Sequence, residues 1–297
     1  MAKVSLRLDG PAVPALRVRT ASGGRLMLCQ GADPVLFAVQ RAGHRGLHYA
    51  RTGRFVSPVP PLRAALARSF HASPHGWGRW AHHFASALRG SANGPVHQGD
   101  WQLVRSLPNW FADVNWPKLL AHDPDRGHLT WFGYGDPVED ARDLLPLRRL
   151  SAPDAPRVKA YRRQYREGVR APVLLWWVSG LNSPVVLDGH DRLTAALAEG
   201  GRPDLVVLTR AMPDGWAGQA ARRRIQAYAD HVSAREAEGG PLATLLIAHE
   251  SRRFAADLTA LDDRADLTRG WPLPGGPGAW QEAVDTYVPG WAPGPED

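Results

Sequence analysis

The chain has 297 residues, 44% of them hydrophobic and 22% charged, with a formal net charge of +7 and one cysteine. That length supports one large domain or two modest ones with a real core. No apolar run approaches the roughly 20 residues that span a bilayer, and Cys29 alone excludes an internal disulfide. The start, Met1 to Asp9, has no apolar signal core, so the expectation is a cytoplasmic protein without a membrane partner.

Lysine stands only at 3, 118 and 159, so arginine carries nearly all the basic charge. The arginines are scattered among acids, and this favours small anionic ligands with nucleic acid as the lesser alternative.

Residues 1–138 read as a β-rich region followed by a helical, Trp-rich one. Leu16 to Thr20 and Leu26 to Leu28 flank the turn residues Ser22, Gly23 and Gly24. Pro34 to Val39 is a further strand. Leu47 to Arg51 and Arg54 to Val56 suggest a second hairpin around Thr52 and Gly53, with Pro58, Pro60 and Pro61 ending the strands. Leu62, Leu66 and Phe70, then Trp77, Trp80, Phe84 and Leu88, have helical spacing, and Ser73-Pro74-His75-Gly76 divides them into two helices. Residues 95–137 show little periodicity; Trp101, Trp110, Trp116 and Trp131 read as core cover or cleft lining. His71, His75, His82 and His83 cluster, but Pro74 and Gly76 break the spacing a zinc pair needs.

Residues 139–212 have the clearest order. Leu144 to Leu147 is a short strand or lead-in. Ser151 or Asp154 caps a helix that runs to about Glu167, with Gly168 at its end. Val173 to Val178 is a continuous apolar strand, Ser179 to Ser183 a turn, and Pro184 to Asp188 the next strand. A helix follows from His190 to about Glu199, and Leu205 to Leu208 closes a β–α–β unit. Residues 213–269 form a helical hairpin, with Ala221, Ile225, Tyr228 and Val232 on one stripe. Residues 270–297 read as a loosely ordered Pro/Gly-rich tail.

Chemistry concentrates at the strand-to-helix junction Asp188-Gly189-His190-Asp191-Arg192. Gly189 permits a tight turn and a close backbone approach. The first amides of the helix lack internal acceptors and face the positive end of its dipole, so they suit an anion. Gly189, His190, Asp191 and Arg192 are therefore the candidate phosphate binders, with Arg192 adding a bidentate contact. Asp191 repels an anion unless a metal intervenes, so Asp188 and Asp191 are the candidate Mg²⁺ ligands. The same residues also have a purely structural reading. Asp188 would cap the helix, Gly189 would only turn the chain, and Arg192 would pair with Glu199 or solvent.

The run from Tyr161 to Gly168, then Ala171-Pro172-Val173-Leu174-Leu175, then Val186 to Ala196, resembles the ParB/sulfiredoxin-like superfamily over about residues 143–210. The resemblance implies an α/β (mixed α+β) fold with a ParB/sulfiredoxin-like core, and a nucleotide-binding protein using ATP or CTP with Mg²⁺. NTP hydrolysis or phosphoryl transfer is the first function it implies, with Asp188, His190 and Asp191 as catalytic groups. The alternative is a non-catalytic nucleotide-sensing or DNA-associated interaction protein. It also suggests an acidic general base, Asp154 or Glu167. The residue after the motif glycine is His190 where sulfiredoxins carry cysteine, so thiol chemistry is not expected. Asp191 replaces the second histidine common in other members. The sequence leaves the oligomeric state open.

Overall fold

The computed structural model describes residues 3–8, 10–40, 46–73, 76–105, 116–130, 144–213, 215–259 and 265–293. Trp110, Trp131, Pro74 and His75 lie outside them. The fold is mixed α/β, as the sequence predicts.

Two sheets face each other. The first runs β1 (Lys3–Leu8), β6 (Gly99–Val104), β11 (Leu205–Ala211), β9 (Val173–Val178), β10 (Ser183–Asp188), β8 (Leu145–Pro146), and the short β12 (Ala265–Asp266) also pairs with β11. The second runs β13 (Gly270–Pro272), β2 (Leu16–Ala21), β3 (Arg25–Gln30), β4 (Asp33–Gln40), β5 (Gly46–Arg51), β7 (Arg126–Thr130). Leu16, Leu28 and Leu36 of the second sheet share one core with Trp101, Trp176, Val185 and Leu208 of the first. The helices α1 (Ala64–His71) and α2 (Gly76–Arg89) add Ala67, Trp80, Phe84 and Leu88 to that core.

The continuous apolar strand β9 is buried at every position because both its faces are covered. Leu174, Trp176 and Val178 enter the core between the sheets. Val173, Leu175 and Trp177 point the other way, against Leu193 and Leu197 of α5 (His190–Ala198) and Trp116 and Leu119 of α3 (Trp116–Ala121).

The junction sits in a less regular setting than a simple β–α–β unit. β10 is antiparallel to β9, and β11 is parallel to β9 on its other side. β10 and β11 therefore run in opposite directions with β9 between them. The expected second hairpin also differs. β5 pairs with β4 and β7, and residues 52–63 form an irregular segment that crosses toward the end of β10. The prolines in that segment remove ladder donors, and Arg54 to Val56 make no strand.

Residues 95–105, which show no clear period, supply the interior strand β6, where Trp101, Gln102 and Leu103 are all buried between β1 and β11. Residues 270–288 are built into the fold, where the sequence predicts a loose tail. β13 pairs with β2, and α8 (Gly276–Tyr287) buries Trp280 and Val284 against Met27, Phe37 and Ala50. Trp280 Nε1 donates to Leu26 O at 3.0 Å, so the ring is held by a polar anchor as well as by packing. α6 (Trp216–Glu238) and α7 (Gly240–Thr259) form the expected helical hairpin, but Ile225 is half exposed rather than part of its inner stripe. Among the described residues no helix is long and apolar enough to cross a membrane.

Candidate functional site

β10 ends at Asp188, and the chain turns at Gly189 with a φ of 92°, where a side chain would strain the backbone. A Cβ there would also stand 2.6 Å from Arg192 Nη2. α5 then starts with no side-chain cap on its first amides. Around this start lies a cleft of about 230 Å³. The irregular segment after β5 supplies Phe55, Val56, Ser57, Val59 and Pro61; the strip after β8 supplies Arg148; α4 (Pro156–Arg166) supplies Arg157 and Tyr161.

The structure brings all five residues of the sequence motif to this cleft, and it gives each side chain a protein partner. Asp188 accepts from Ser57 Oγ at 2.8 Å on one oxygen and from Arg192 Nη2 at 2.8 Å on the other. Arg192 also donates from Nε and Nη2 to Pro172 O at 3.2 and 3.0 Å, and its guanidinium lies 5.9 Å from the Tyr161 ring centre. Arg192 is only 7% exposed, so it lines the cleft from a buried position. It ties the start of α5 to the loop before β9. It does not pair with Glu199, which instead binds Arg162 and Arg166.

Asp191 is buried at the mouth of the cleft. One oxygen accepts from Ser151 Oγ at 2.7 Å and Arg148 Nη2 at 3.3 Å, and the other lies 3.3 Å from Arg157 Nε. Arg148 and Arg157 are the exposed cations of the site, with 47% and 56% of their side-chain surface accessible. Their contacts to Asp191 are longer than the 2.7–2.9 Å usual for charge-assisted bonds, and Arg157 is also hydrogen-bonded to Tyr161.

His190 is buried and its Nε2 accepts from the Arg148 amide at 3.2 Å. Burial, with Arg148, Arg51 and Arg192 nearby, holds its pKa well below the ordinary histidine value. The neutral ring packs 6.1 Å from the Phe55 ring, and the nitrogen facing the strip is an acceptor with no proton to donate.

The expected Mg²⁺ ligands do not fit that role. Both oxygens of Asp188 and both of Asp191 already face Ser or Arg donors, and the surrounding charge is positive. Among the described residues no group of three or more His, Cys, Asp and Glu side chains is placed to hold a metal. Of the two acidic candidates for a general base, Glu167 is committed to arginines. Glu167 sits at the far end of the helix and pairs with Arg68 and Arg163, which lower its pKa. Neither Ser151 nor Asp154 caps α4: the N-cap is Ala155 with Pro156 next, a residue suited to that first turn, and Ser151 is spent on Asp191 instead.

No family model matches this chain, and no curated protein or solved structure does either.

The residues that complete the site gave little signal in the sequence. Ser57 lies 131 positions from the aspartate it contacts, and Arg148 lies 43 from Asp191. The strip carrying Arg148 and Ser151 is itself clamped by a buried pair. Arg51 Nη1 donates to Asp123 at 2.8 Å and to Pro146 O at 3.1 Å, while the Leu150 amide donates to the other Asp123 oxygen at 2.7 Å. Arg51 and Asp123 thus position Arg148 without touching the cleft.

Proposed function

We propose that the protein binds a nucleotide in this cleft through its phosphate groups, as a ParB/sulfiredoxin-like protein. One observation carries the reading. Arg148, Arg157 and Arg192 stand against only Asp188 and Asp191, so one positive charge remains uncompensated beside the uncapped start of α5. A concave site with surplus positive charge and free helix amides favours an anion. Arg148 and Arg157, which reach solvent, would turn from Asp191 to the phosphate. Arg192 would act as scaffold, and Phe55, Val56, Val59, Pro61 and Tyr161 would offer apolar surface to the rest of the ligand.

Of the two functions open to such a site, sensing is favoured over turnover. Asp188 and Asp191 are both neutralised by arginine, and His190 presents an acceptor to the protein backbone, so no carboxylate or imidazole stands free as a base. Mg²⁺ held by the chain's own carboxylates is no part of this reading. The buried Cys29 thiol agrees with a cytoplasmic setting. Equilibrium binding of ATP and CTP, followed by assay of the same mixtures for nucleoside diphosphate and phosphate, tests it. Saturable binding without product is expected. Steady product release would transfer the protein to the hydrolase class, and absence of binding would remove the reading altogether.

A further inference from the structure

The described side chains of the α6–α7 hairpin are mostly exposed or half-buried. Across its two helices Ala243 is the one buried residue among those whose side chains are described. The face that α6 turns to α7 is defined by contacts. Tyr228 stacks on Phe254 with ring centres 4.2 Å apart, the Tyr228 and Ser251 hydroxyls meet, and His231 lies 3.7 Å from Glu250.

About 100° around α6 from Tyr228, on the side away from His231, runs a second stripe: Arg222, Ile225, Ala229, Ser233 and Glu236. Every one of these residues is exposed, and Ile225 has half its surface in solvent. The stripe has an internal symmetry. Set antiparallel to itself with the axis on Ala229, it places Arg222 opposite Glu236, Ile225 opposite Ser233, and Ala229 opposite Ala229. Residues 222 and 236 are equally far from 229, as are 225 and 233. A twofold interface must be self-complementary in this sense, each residue meeting the partner of its own partner. The two Arg–Glu pairs would lie about 21 Å apart at the ends of the contact, given 1.5 Å of rise per residue. Small residues at the centre would let the helices approach closely, with the two Ile225 side chains covered.

We propose that the exposed stripe of α6 is a dimerisation surface whose occupant is the same stripe of a second copy, antiparallel and centred on Ala229. Charge complementarity selects a second copy over an unrelated partner. The exposed Leu242 and Leu245 belong to α7 and take no part in this pairing.

The test is the solution mass of the full chain across a concentration series by sedimentation equilibrium. The wild type is expected to approach twice the 32.5 kDa chain mass as concentration rises. Arg222→Glu and Glu236→Arg should each return the monomer, Ile225→Asp likewise, and Leu242→Gln should leave the dimer intact. The combined Arg222→Glu/Glu236→Arg chain should dimerise again, because each swapped end meets its swapped partner. All these positions are exposed, and circular dichroism checks that the variants fold. A monomer at every concentration would overturn the proposal. So would a dimer indifferent to the single charge reversals, or one that the double swap fails to restore.

Discussion

Arg192 Nη2 and Asp188 Oδ2 meet at 2.8 Å across the turn made by Gly189, and both side chains are almost wholly removed from solvent. This pair joins the last residue of β10 to the first turn of α5 and converts an apparent ligand arginine into part of the frame.

Arg192→Ala would therefore leave the Asp188 carboxylate and the Pro172 carbonyl without their shared donor. Removing one partner of a buried pair typically lowers stability by about 3–5 kcal/mol. Urea unfolding followed by circular dichroism should show a loss in that range. A loss within about 0.5 kcal/mol, the range of ordinary surface substitutions, would mean that the pair is not structural.

Arg148 and Arg157 are predicted to behave oppositely. Either one changed to alanine should weaken nucleotide binding by about 1.5–3 kcal/mol, the range for hydrogen bonds to charged groups, with a smaller effect on stability than Arg192→Ala. Calorimetric titration of each variant with ATP or CTP measures this directly. Equal affinity in wild type and both variants would place the phosphate elsewhere.

Asp191→Asn separates an arginine anchor from a metal ligand. Asparagine can still accept from Ser151 but no longer neutralises Arg148 and Arg157. Phosphate affinity should rise, by about tenfold if about 1.4 kcal/mol of competition is relieved, and stability should fall. Loss of binding that extra Mg²⁺ restores would instead support the metal role.

The pH dependence follows from two buried histidines, His190 and His97, and the half-buried His83. His190, His83 and His97 all have pKa values lowered mainly by burial. The unfolded chain binds more protons than the folded one once pH falls toward the ordinary histidine value, so stability declines below about pH 6.5. Thermal melts at pH 7.5 and 5.5 should show the lower midpoint at the acid value. The gap should narrow in His190→Leu, which removes the group with the largest depression.

The apolar strands β9 and β10, the turn at Gly189 and the helix after it were legible in the sequence because their signals are local: a buried run, a glycine, a helical period. The closure of the site was not. Phe55 and Ser57 come from a segment whose alternation imitates a strand but whose prolines deny it a ladder. Arg148 reaches Asp191 only because Arg51 and Asp123 clamp the strip that carries it. The burial of Arg192 was hidden for the same reason. Its immediate neighbours on α5 suggest an exposed face, while α4 and the loop at Pro172 cover it from a distance in sequence. In α8, glycine and proline density resembles a tail, yet Gly275 and Pro277 start a helix and Trp280 supplies the burial that holds it.

The packing of α8 is testable by truncating its anchor. Trp280→Ala should lower stability by about 3–5 kcal/mol, as large-to-small core changes of aromatic residues do. The loss should appear in the same cooperative unfolding transition as the sheets. A change near zero would show that residues from 270 onward are the loose tail their composition suggests.

Nucleotide binding at the start of α5 is tested most directly by one set of thermal melts, run in a chelator with millimolar ATP, CTP, adenosine or cytidine. A nucleotide should raise the midpoint, the matching nucleoside should not, and the shift should disappear in a folded Arg148→Ala/Arg157→Ala chain. No shift with any nucleotide, or a shift that survives loss of both arginines, would contradict binding at this site.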